Sequence, residues 1–225
     1  MAGILFIISA PSGSGKSTLV SQVRSLVEGL EFSISYTTRQ PRGSEEDGRE
    51  YHFVERRDFE RMIAAGGFLE WAEVFGNYYG TAVAALAHAK HAGKDLLLDI
   101  DVQGAMQIMK KLPEAVSIFI LPPSPEVLQM RLRNRSQAEG MTSEEVIARR
   151  LNEARKELDR VGEYRYALVN DVLDVAVQEL RAIVLTERGL NGAARKLAAS
   201  CRTDAGSERL KKALGSFERQ TVGTE

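Results

Sequence analysis

The sequence predicts an α/β fold in which a parallel sheet is flanked by helices on both faces. Short apolar runs typical of buried strands alternate along the chain with stretches that have helical periodicity. This alternation indicates a parallel sheet, because each parallel strand needs a crossover before the next one. The chain has 225 residues, of which 44% are hydrophobic and 27% charged, so one large domain with insertions and a sizeable core is expected.

The composition argues against several classes of function. A net charge of −1 implies no strong field for nucleic acid, although local basic patches remain possible, and we expect neither a nucleic-acid nor a membrane partner. The single cysteine, Cys201, excludes an internal disulfide framework and leaves no cysteine-based metal cluster. The apolar run at 4–8 is too short for a membrane helix and lacks the basic leader of a signal peptide. A cytoplasmic protein is expected, and the sequence leaves monomer and homo-oligomer open.

The start of the chain predicts a phosphate-binding loop (P-loop). An Ile-rich strand at 4–9 runs into Ala-Pro-Ser-Gly-Ser-Gly-Lys-Ser-Thr at 10–18, and a helical stretch follows. Gly13 and Gly15 tolerate the backbone angles that point loop amides at phosphate oxygens, and the helix adds the positive end of its dipole. The pattern places Lys16 on the terminal phosphates of a nucleoside triphosphate.

Two further points bear on this loop. Ser17 has the position of a Mg²⁺ ligand, and Asp99, at the end of a Leu-rich strand, suits an acid that orients Mg²⁺ through water. The usual motif begins with glycine where this chain has Ala10, whose methyl group is small enough for the loop. The alternative is a Gly/Ser turn with no ligand. The Gly15-Lys16-Ser17 sequence at the strand end favours the phosphate site.

The remaining strands are short apolar or alternating runs bounded by turn residues. Two of them, 95–100 and 116–121, are apolar almost throughout, as strands buried on both faces are. One strand-like run precedes a polar loop and two follow it, so residues 37–81 are predicted to form a small mixed β insertion. The predicted strands after the first are 32–36, 51–54, 68–75, 95–100, 116–121 and 167–170.

The helices are predicted from apolar stripes and from their start and stop signals. Gly93 and Pro113 end two of them, and Ser124-Pro125 and the Thr142-x-x-Glu145 capping box begin two others. The polar pair at 124–135 and 143–161 resembles a mobile lid. The predicted helices are 16–27, 58–65, 82–92, 103–111, 124–135, 143–161 and 175–187, with weaker signals at 190–199 and 210–217.

The implied domain organisation has four parts. A core P-loop domain takes 1–36, 82–123 and 166–188, the insertion takes 37–81, and the lid takes 124–165. The segment 189–225 is a tail of unknown role, for which a solvated tail or a dimer contact is favoured over a nucleic-acid arm.

The insertion carries a second set of chemical groups. Arg39 and Arg42 lie on a proline-containing loop, and Tyr51 and Tyr79 lie nearby in strand and turn sequences. Arginine forks and phenol hydroxyls suit a phosphate monoester. Glu70 is a carboxylate in an otherwise apolar strand, facing opposite to its neighbours.

A guanine edge explains that carboxylate. The ring N1–H and the exocyclic amine of guanine are two donors that Glu70 can accept together, whereas adenine presents a lone pair there. The neighbouring O6 then needs a donor, which Ser35 or Thr81 can provide.

Six stretches in order resemble the guanylate kinase family over about residues 3–188. They are Ser-Ala-Pro-Ser-Gly-Ser-Gly-Lys-Ser-Thr at 9–18, Thr-Thr-Arg-Gln-Pro-Arg at 37–42, Asp-Gly-x-x-Tyr-x-Phe at 47–53, Phe-Leu-Glu-Trp-Ala at 68–72, Asn-Tyr-Tyr-Gly-Thr at 77–81 and Leu-Asp-Ile-Asp-Val-Gln-Gly at 98–104. Each stretch alone is weak, whereas the ordered set is specific. The tail beyond Gly189 is not part of the resemblance.

The resemblance implies an α/β P-loop nucleoside-triphosphate-hydrolase-like core with a GMP-binding insertion and a helical lid. It implies transfer of the γ-phosphate of ATP to GMP, giving ADP and GDP, with Mg²⁺ as cofactor. Positions implied around guanine are Ser35, Glu70, Thr81 and Asp101, and those implied on the GMP phosphate are Arg39, Arg42, Tyr51 and Tyr79. Positions implied for ATP are Ser12, Gly13, Ser14, Gly15, Lys16, Ser17, Thr18, Arg131 and Asn170, the last near the adenine. Lys16, Arg39, Arg135 and Arg150 are the implied catalytic residues.

Three other functions remain open on the sequence. The first is a guanylate-kinase-like binding module without catalysis, although such modules tend to lose the P-loop that is intact here. The second is a kinase for another nucleoside monophosphate, against which Glu70 and Ser35 argue. The third is a nucleotide-sensing regulatory protein.

Overall fold

A computed structural model describes residues 3–138, 144–190 and 192–218. The chain divides into two compact units, one running up to Ile8 and from Gly29 to Ala115, the other running from Ser9 to Glu28 and from Val116 onward.

The strands, in chain order, are β1 Leu5–Ser9, β2 Leu30–Phe32, β3 Tyr36–Thr37, β4 His52–Phe53, β5 Phe68–Val74, β6 Asn77–Ala82, β7 Asp95–Asp99, β8 Val116–Leu121 and β9 Tyr166–Val169. The helices are α1 Lys16–Leu26, α2 Arg56–Ala64, α3 Val83–Ala92, α4 Val102–Lys111, α5 Pro125–Ala138, α6 Glu144–Leu158, α7 Leu173–Glu187, α8 Ala193–Ser200 and α9 Glu208–Glu218. Short 3₁₀ helices occur at Val161–Glu163 and Thr203–Ala205.

In the first unit, three parallel strands lie in the order β2-β7-β1. Leu97 of β7 is paired with Phe6 on one side and with Phe32 on the other, and all three apolar residues at the centre of β7 are buried. Strand β7 is apolar because successive side chains point to opposite faces of the sheet and both faces are buried here. Asp99 is the last residue of β7 and is half-buried.

The mixed sheet of the first unit has the order β4-β3-β6-β5. Strand β3 is parallel to β4 and antiparallel to β6, and β5 and β6 form an antiparallel hairpin. The hairpin turn uses Phe75 and Gly76, both with positive φ. Helix α2 covers this sheet through Phe59, which is fully buried and stacks on Phe68 at 4.4 Å between ring centroids.

The predicted strand at 32–36 is wrong, because the chain changes sheets within it. Strand β2 ends at Phe32, Ser33 still donates to the Leu97 carbonyl at 3.0 Å, and β3 then begins at Tyr36 in the mixed sheet. An alternating pattern indicates an extended chain but does not indicate which neighbouring strand it pairs with.

In the second unit, β8 and β9 pair in parallel, and Phe119 is opposite Ala167. Helix α1 packs against α7, and α5 packs against α6. The predicted solvated tail is wrong for the described residues, because α8 packs on α7 and α9 packs on β9. Its buried residues are Ala198, Cys201, Leu210, Ala213 and Phe217. A dimer contact stays a prediction.

The predicted boundaries of the other elements agree with the structure to within about two residues wherever a sharp stop or start signal exists. Gly93 ends α3 with a left-handed conformation, as its sequence position predicts. The Thr142 capping box lies outside the described residues. No helix in the described ranges is long and apolar enough to span a bilayer. The four-part domain organisation stays a prediction.

Candidate functional site

Glu70 is a buried carboxylate on the mixed sheet of the first unit. It is 2% exposed, and it lies opposite Thr81 of β6, whose hydroxyl donates to Glu70 Oε1 at 2.7 Å. Burial raises the pKa of Glu70 to about 7, the hydrogen bond from Thr81 opposes that rise, and the Asp101 carboxylate adds to it. Since the folded-state pKa is raised, this group favours folding at low pH, and that contribution is lost as the pH rises through about 7.

The first turn of α4 lies directly against Glu70. Asp101 caps this helix, and its Oδ1 accepts from the Gln103 amide at 2.7 Å and from the Gly104 amide at 3.0 Å. A Cβ atom on Gly104 would lie 2.2 Å from Glu70 Oε2 and 2.8 Å from its Cδ. Only glycine therefore leaves room for the carboxylate at this helix N-terminus, where a negative charge is stabilised.

Helix α4 also holds the backbone on both sides of Glu70. The Gln107 side-chain amide donates to the Trp71 carbonyl at 2.7 Å and accepts from the Trp71 amide at 3.4 Å, and Lys111 donates to the Leu69 carbonyl at 2.7 Å. Strand β5 is at the edge of the mixed sheet, so these side chains bond its outer backbone groups. A tryptophan in a strand-like sequence predicts a core position for Trp71, and this prediction is wrong, because the side chain is 38% exposed.

An arginine and tyrosine cluster lies on the same unit. Arg39 is 8% exposed, and its guanidinium lies 5.3 Å from the Tyr51 ring centroid. The rings of Tyr51 and Tyr79 meet edge to face at 5.9 Å. Burial raises the pKa of Tyr51 to about 12, and the Asp99 carboxylate and the Tyr79 phenol add to that rise. The Tyr51 phenol is therefore a protonated donor at neutral pH.

Glu45 occupies the fork of Arg39. Its two carboxylate oxygens accept from Arg39 Nη1 at 2.9 Å and from Nη2 at 3.0 Å, and Oε2 also accepts from the Arg42 backbone amide at 2.8 Å. A carboxylate and a phosphate both accept hydrogen bonds from an arginine in the same bidentate geometry. The sequence prediction missed Glu45, whose only signal was a carboxylate three residues after Arg42.

Strand β6 connects the surroundings of Glu70 with the Arg39 cluster. Tyr79 and Thr81 are two residues apart on this strand, so their side chains lie on one face about 7 Å apart. Glu70, Thr81 and Asp101 thus lie at one end, and the Arg39 cluster lies at the other. Arg42 is half-buried in the same loop, and Ser35 is buried just before β3, where its carbonyl accepts from the His52 amide at 2.9 Å.

The predicted P-loop belongs to the second unit. Gly13 has φ 89° and Gly15 has φ 82°, conformations that side chains rarely adopt, and Gly15 is the N-cap of α1. The Ser14 amide donates to the Pro11 carbonyl at 3.1 Å, which closes the turn. Ala10, the departure from the usual motif, is buried without disturbing the loop.

The side chains predicted to bind ATP begin this helix or precede it. Lys16 is its first residue and half-buried, and Ser17 and Thr18 are exposed on the first turn. Ser12 is half-buried in the loop, and Ser14 is buried with a hydroxyl that has no hydrogen-bond partner among the described residues. The local geometry of the predicted phosphate loop is therefore present.

Arg131 and Asn170 bind the backbone of this loop. The Asn170 side chain donates to the Ser14 carbonyl at 2.8 Å, and Arg131 donates to the Ser14 carbonyl at 3.2 Å and to the Asn170 carbonyl at 3.0 Å. A Cβ on Gly15 would lie 2.5 Å from Asn170 Nδ2. Both residues therefore support the loop, and their direct contact with ATP stays a prediction.

The lid arginines are described in part. Arg150 is buried on α6, and Arg133 of α5 pairs with Glu144 of α6 at 2.9 Å. Arg135 lies in α5, but its side chain lies outside the described residues. Catalytic contact by Arg135 or Arg150 stays a prediction, as does movement of the two helices as a lid.

The residues predicted for Mg²⁺ have suitable donors. Ser17 presents an exposed hydroxyl, and Asp99 presents a half-buried carboxylate at the carboxyl end of β7. No group of three or more His, Cys, Asp or Glu residues in the described chain could hold a metal ion by itself. A site with only one or two protein oxygens suits Mg²⁺, because this ion keeps several waters and is held mainly by substrate phosphates.

Comparison with known proteins gives the same family from sequence and from structure. A sequence model described as guanylate kinase matches residues 3–187. A guanylate kinase of Koribacter versatilis (strain Ellin345) is 59% identical over 188 residues, which cover 84% of this chain and 80% of the relative. A guanylate kinase of Nitrosospira multiformis is 52% identical over 186 residues, which cover 83% of this chain and 87% of the relative.

A solved structure gives the fold. The crystal structure of guanylate kinase from Anaplasma phagocytophilum matches with a TM-score of 0.67 and 32% identity, covering 88% of this chain and 95% of that chain. The predicted fold class is confirmed by this match.

Proposed function

Because the chain belongs to the guanylate kinase family, we propose that it transfers the γ-phosphoryl group of ATP to GMP, giving ADP and GDP. The observation that carries the proposal is a mixed sheet with a buried carboxylate, Glu70, at one end and an arginine and tyrosine cluster around Arg39 at the other. This pairing offers one nucleoside monophosphate a site for its base and a site for its phosphate.

Glu70 reads the base in this proposal. The Thr81 hydroxyl takes one lone pair of Oε1, and the remaining lone pairs of the ionised carboxylate accept the N1–H and the exocyclic amine of guanine. Asp101 and Ser35 complete the polar surroundings. AMP has no N1–H and no amine at C2, so only the Thr81 hydroxyl would remain to donate to this buried carboxylate.

The Arg39 cluster holds the acceptor phosphate. Arg39 exchanges the Glu45 carboxylate for phosphate oxygens, while Tyr51 and Tyr79 donate their hydroxyls and Arg42 adds a second cation. A phosphate oxygen is already a nucleophile, so these residues position the attacking oxygen and no general base is needed.

The P-loop holds the donor. Its amides and Lys16 would bind the β- and γ-phosphates of ATP, with Asn170 near the adenine and Arg150, Arg135 and Arg131 as further cations. Mg²⁺, when bound, neutralises charge on the transferred phosphoryl group, and Ser17 and Asp99 would hold it, Asp99 through water.

ATP and GMP are cytoplasmic metabolites, so the proposal includes a cytoplasmic location.

A non-catalytic binding module is the alternative. A module that only binds GMP has no use for a lysine at the start of α1 or for two glycines with positive φ, and this chain has both features. These features favour an enzyme.

The acceptor specificity tests the proposal. With ATP as donor and a coupled assay of ADP release, kcat/KM for GMP should exceed that for AMP by roughly 10⁴-fold, because AMP leaves Glu70 unsatisfied. CMP and UMP serve as further acceptors, and omission of the acceptor gives the background hydrolysis rate. Comparable turnover of AMP and GMP would show that Glu70 does not read guanine.

The pH dependence of the GMP step gives a second test. With the pKa of Glu70 raised to about 7, falling pH protonates an acceptor that guanine needs. Between pH 8 and pH 6 the KM for GMP should rise about tenfold from this group. The GMP phosphate titrates near pH 6 as well, so the control is Glu70→Gln, which retains only the phosphate contribution. Identical pH profiles for the two proteins would refute the role of Glu70.

A further inference from the structure

The carboxyl-terminal segment, defined here as residues 192–218, lies beyond the matched family region, which ends at residue 187. It pairs with β9 through an antiparallel bridge between Tyr166 and Arg202 and through the Ala167 amide, which donates to the Cys201 carbonyl at 2.8 Å. This segment is thus attached to the strand that leads into Asn170.

One arginine of the segment reaches further. Arg209, near the start of α9, donates through Nη2 to the Val169 carbonyl at 2.5 Å and through Nε to Asp171 Oδ2 at 3.2 Å. Its Nη2 also bonds Asp171 Oδ1, and its Nη1 bonds the carboxylate of Glu179 on α7. Arg209 therefore holds both residues that flank Asn170.

Asn170 transmits this contact to the P-loop. Its side chain donates to the Ser14 carbonyl at 2.8 Å, and its own carbonyl accepts from Arg131 at 3.0 Å. Movement of the Val169–Asp171 backbone would displace the Asn170 amide from the start of α1. The position of Asn170 against the loop is consequently set by Arg209 from one side and by Arg131 from the other.

We propose that Arg209 is a positioning residue for the donor nucleotide, which acts by fixing Asn170 against the P-loop from outside the matched family region. The inference rests on the proposed function in one respect, namely that the loop binds the donor ATP. The GMP-binding residues belong to the first unit, whereas every contact in this chain of bonds lies in the second. Arg209 therefore acts on donor binding and not on acceptor binding.

A purely stabilising role is the competing explanation. Glu179 is 8% exposed, and its Oε2 has no hydrogen-bond partner among the described residues. Removing Arg209 alone would leave this buried carboxylate uncompensated and would destabilise the protein for that reason. A test must therefore separate the stability of the Arg209–Glu179 pair from the position of Asn170.

The experiment uses the full chain with Arg209→Leu and with the double variant Arg209→Leu/Glu179→Leu. The double variant replaces the buried ion pair by apolar groups, so its melting temperature should recover most of the loss shown by the single variant. Both variants lack the contacts to Val169 and Asp171, so both should show a KM for ATP raised on the order of tenfold. The KM for GMP should stay at the wild-type value.

The matched control is Lys211→Ala, which removes a cation from the same helix. The Lys211 ammonium pairs with Glu208, one turn away, at 3.1 Å. It should leave both KM values unchanged. A wild-type KM for ATP in the double variant would overturn the proposal and leave the segment a purely stabilising role.

Calorimetric binding of ADP to the same proteins needs no turnover, so it tests Arg209 even if the proposed reaction fails. Weaker ADP binding by both Arg209 variants supports the positioning role, and wild-type ADP affinity in the double variant contradicts it.

Discussion

Lys16→Met is expected to lower kcat for GMP phosphorylation by about 10³-fold, because it removes the lysine proposed to neutralise charge on the transferred phosphoryl group at the start of α1. Methionine has nearly the same length and is compatible with the first turn of α1, so the fold should be retained. GMP binding, measured by calorimetry without ATP, should stay close to the wild-type affinity, since the residues proposed for GMP belong to the other unit.

The control for this prediction is Lys90→Met, the same substitution at an exposed lysine of α3. Its kcat should be that of the wild type. If Lys16→Met turns over GMP at the normal rate, Lys16 does not stabilise the transferred group. If it loses GMP binding instead, Lys16 acts on the acceptor side and the assignment of the two phosphate sites must be revised.

Gly104→Ala is expected to raise the KM for GMP by about a hundredfold, because its methyl group would lie 2.2 Å from Glu70 Oε2 and must displace the carboxylate proposed to bind guanine. Alanine is a better helix former than glycine, so backbone propensity alone would predict a more stable helix. The defect should therefore appear in the steady-state KM for GMP with kcat and the KM for ATP much less affected.

Gly215→Ala is the matched control, because Gly215 also lies within a helix, α9, and nothing lies within 4 Å of the Cβ it would carry. That variant should gain about 0.5–1 kcal/mol in the free energy of unfolding and keep the wild-type KM for GMP. A normal KM for GMP in Gly104→Ala would mean that Glu70 is free to move away from α4 and still bind the base.

The sequence predicted the parallel strands and the glycine turn before α1 well because their signals are local. Lys16 begins a helix after two glycines whose positive φ is required by the turn, and that requirement is visible in the residue types. The sequence indicated a buried position for Glu70 for a similar reason, since a carboxylate on the apolar face of an alternating strand has few structural uses, and its contact with guanine stays a prediction.

Other features were hidden because they depend on pairs that are distant in sequence. The requirement for Gly104 arises from Glu70, 34 positions earlier, although a glycine just after a helix cap was a signal that sequence reasoning could have used. The contacts of Arg209 with Val169 and Asp171 have no local signature at all, because the weak apolar pattern after residue 189 does not reveal which strand the segment covers.

The attachment of that segment also determines the chemistry of Cys201, which is a buried residue of the segment and whose sulfur donates to the Leu197 carbonyl at 3.4 Å. Burial raises the pKa of the Cys201 thiol to about 12, and the Glu179 carboxylate adds to that rise. Since the thiolate is the reactive form, the sulfur is withheld from alkylation and oxidation while the segment remains packed. The lone cysteine of the chain is thereby a native reporter of how often this part of the molecule opens.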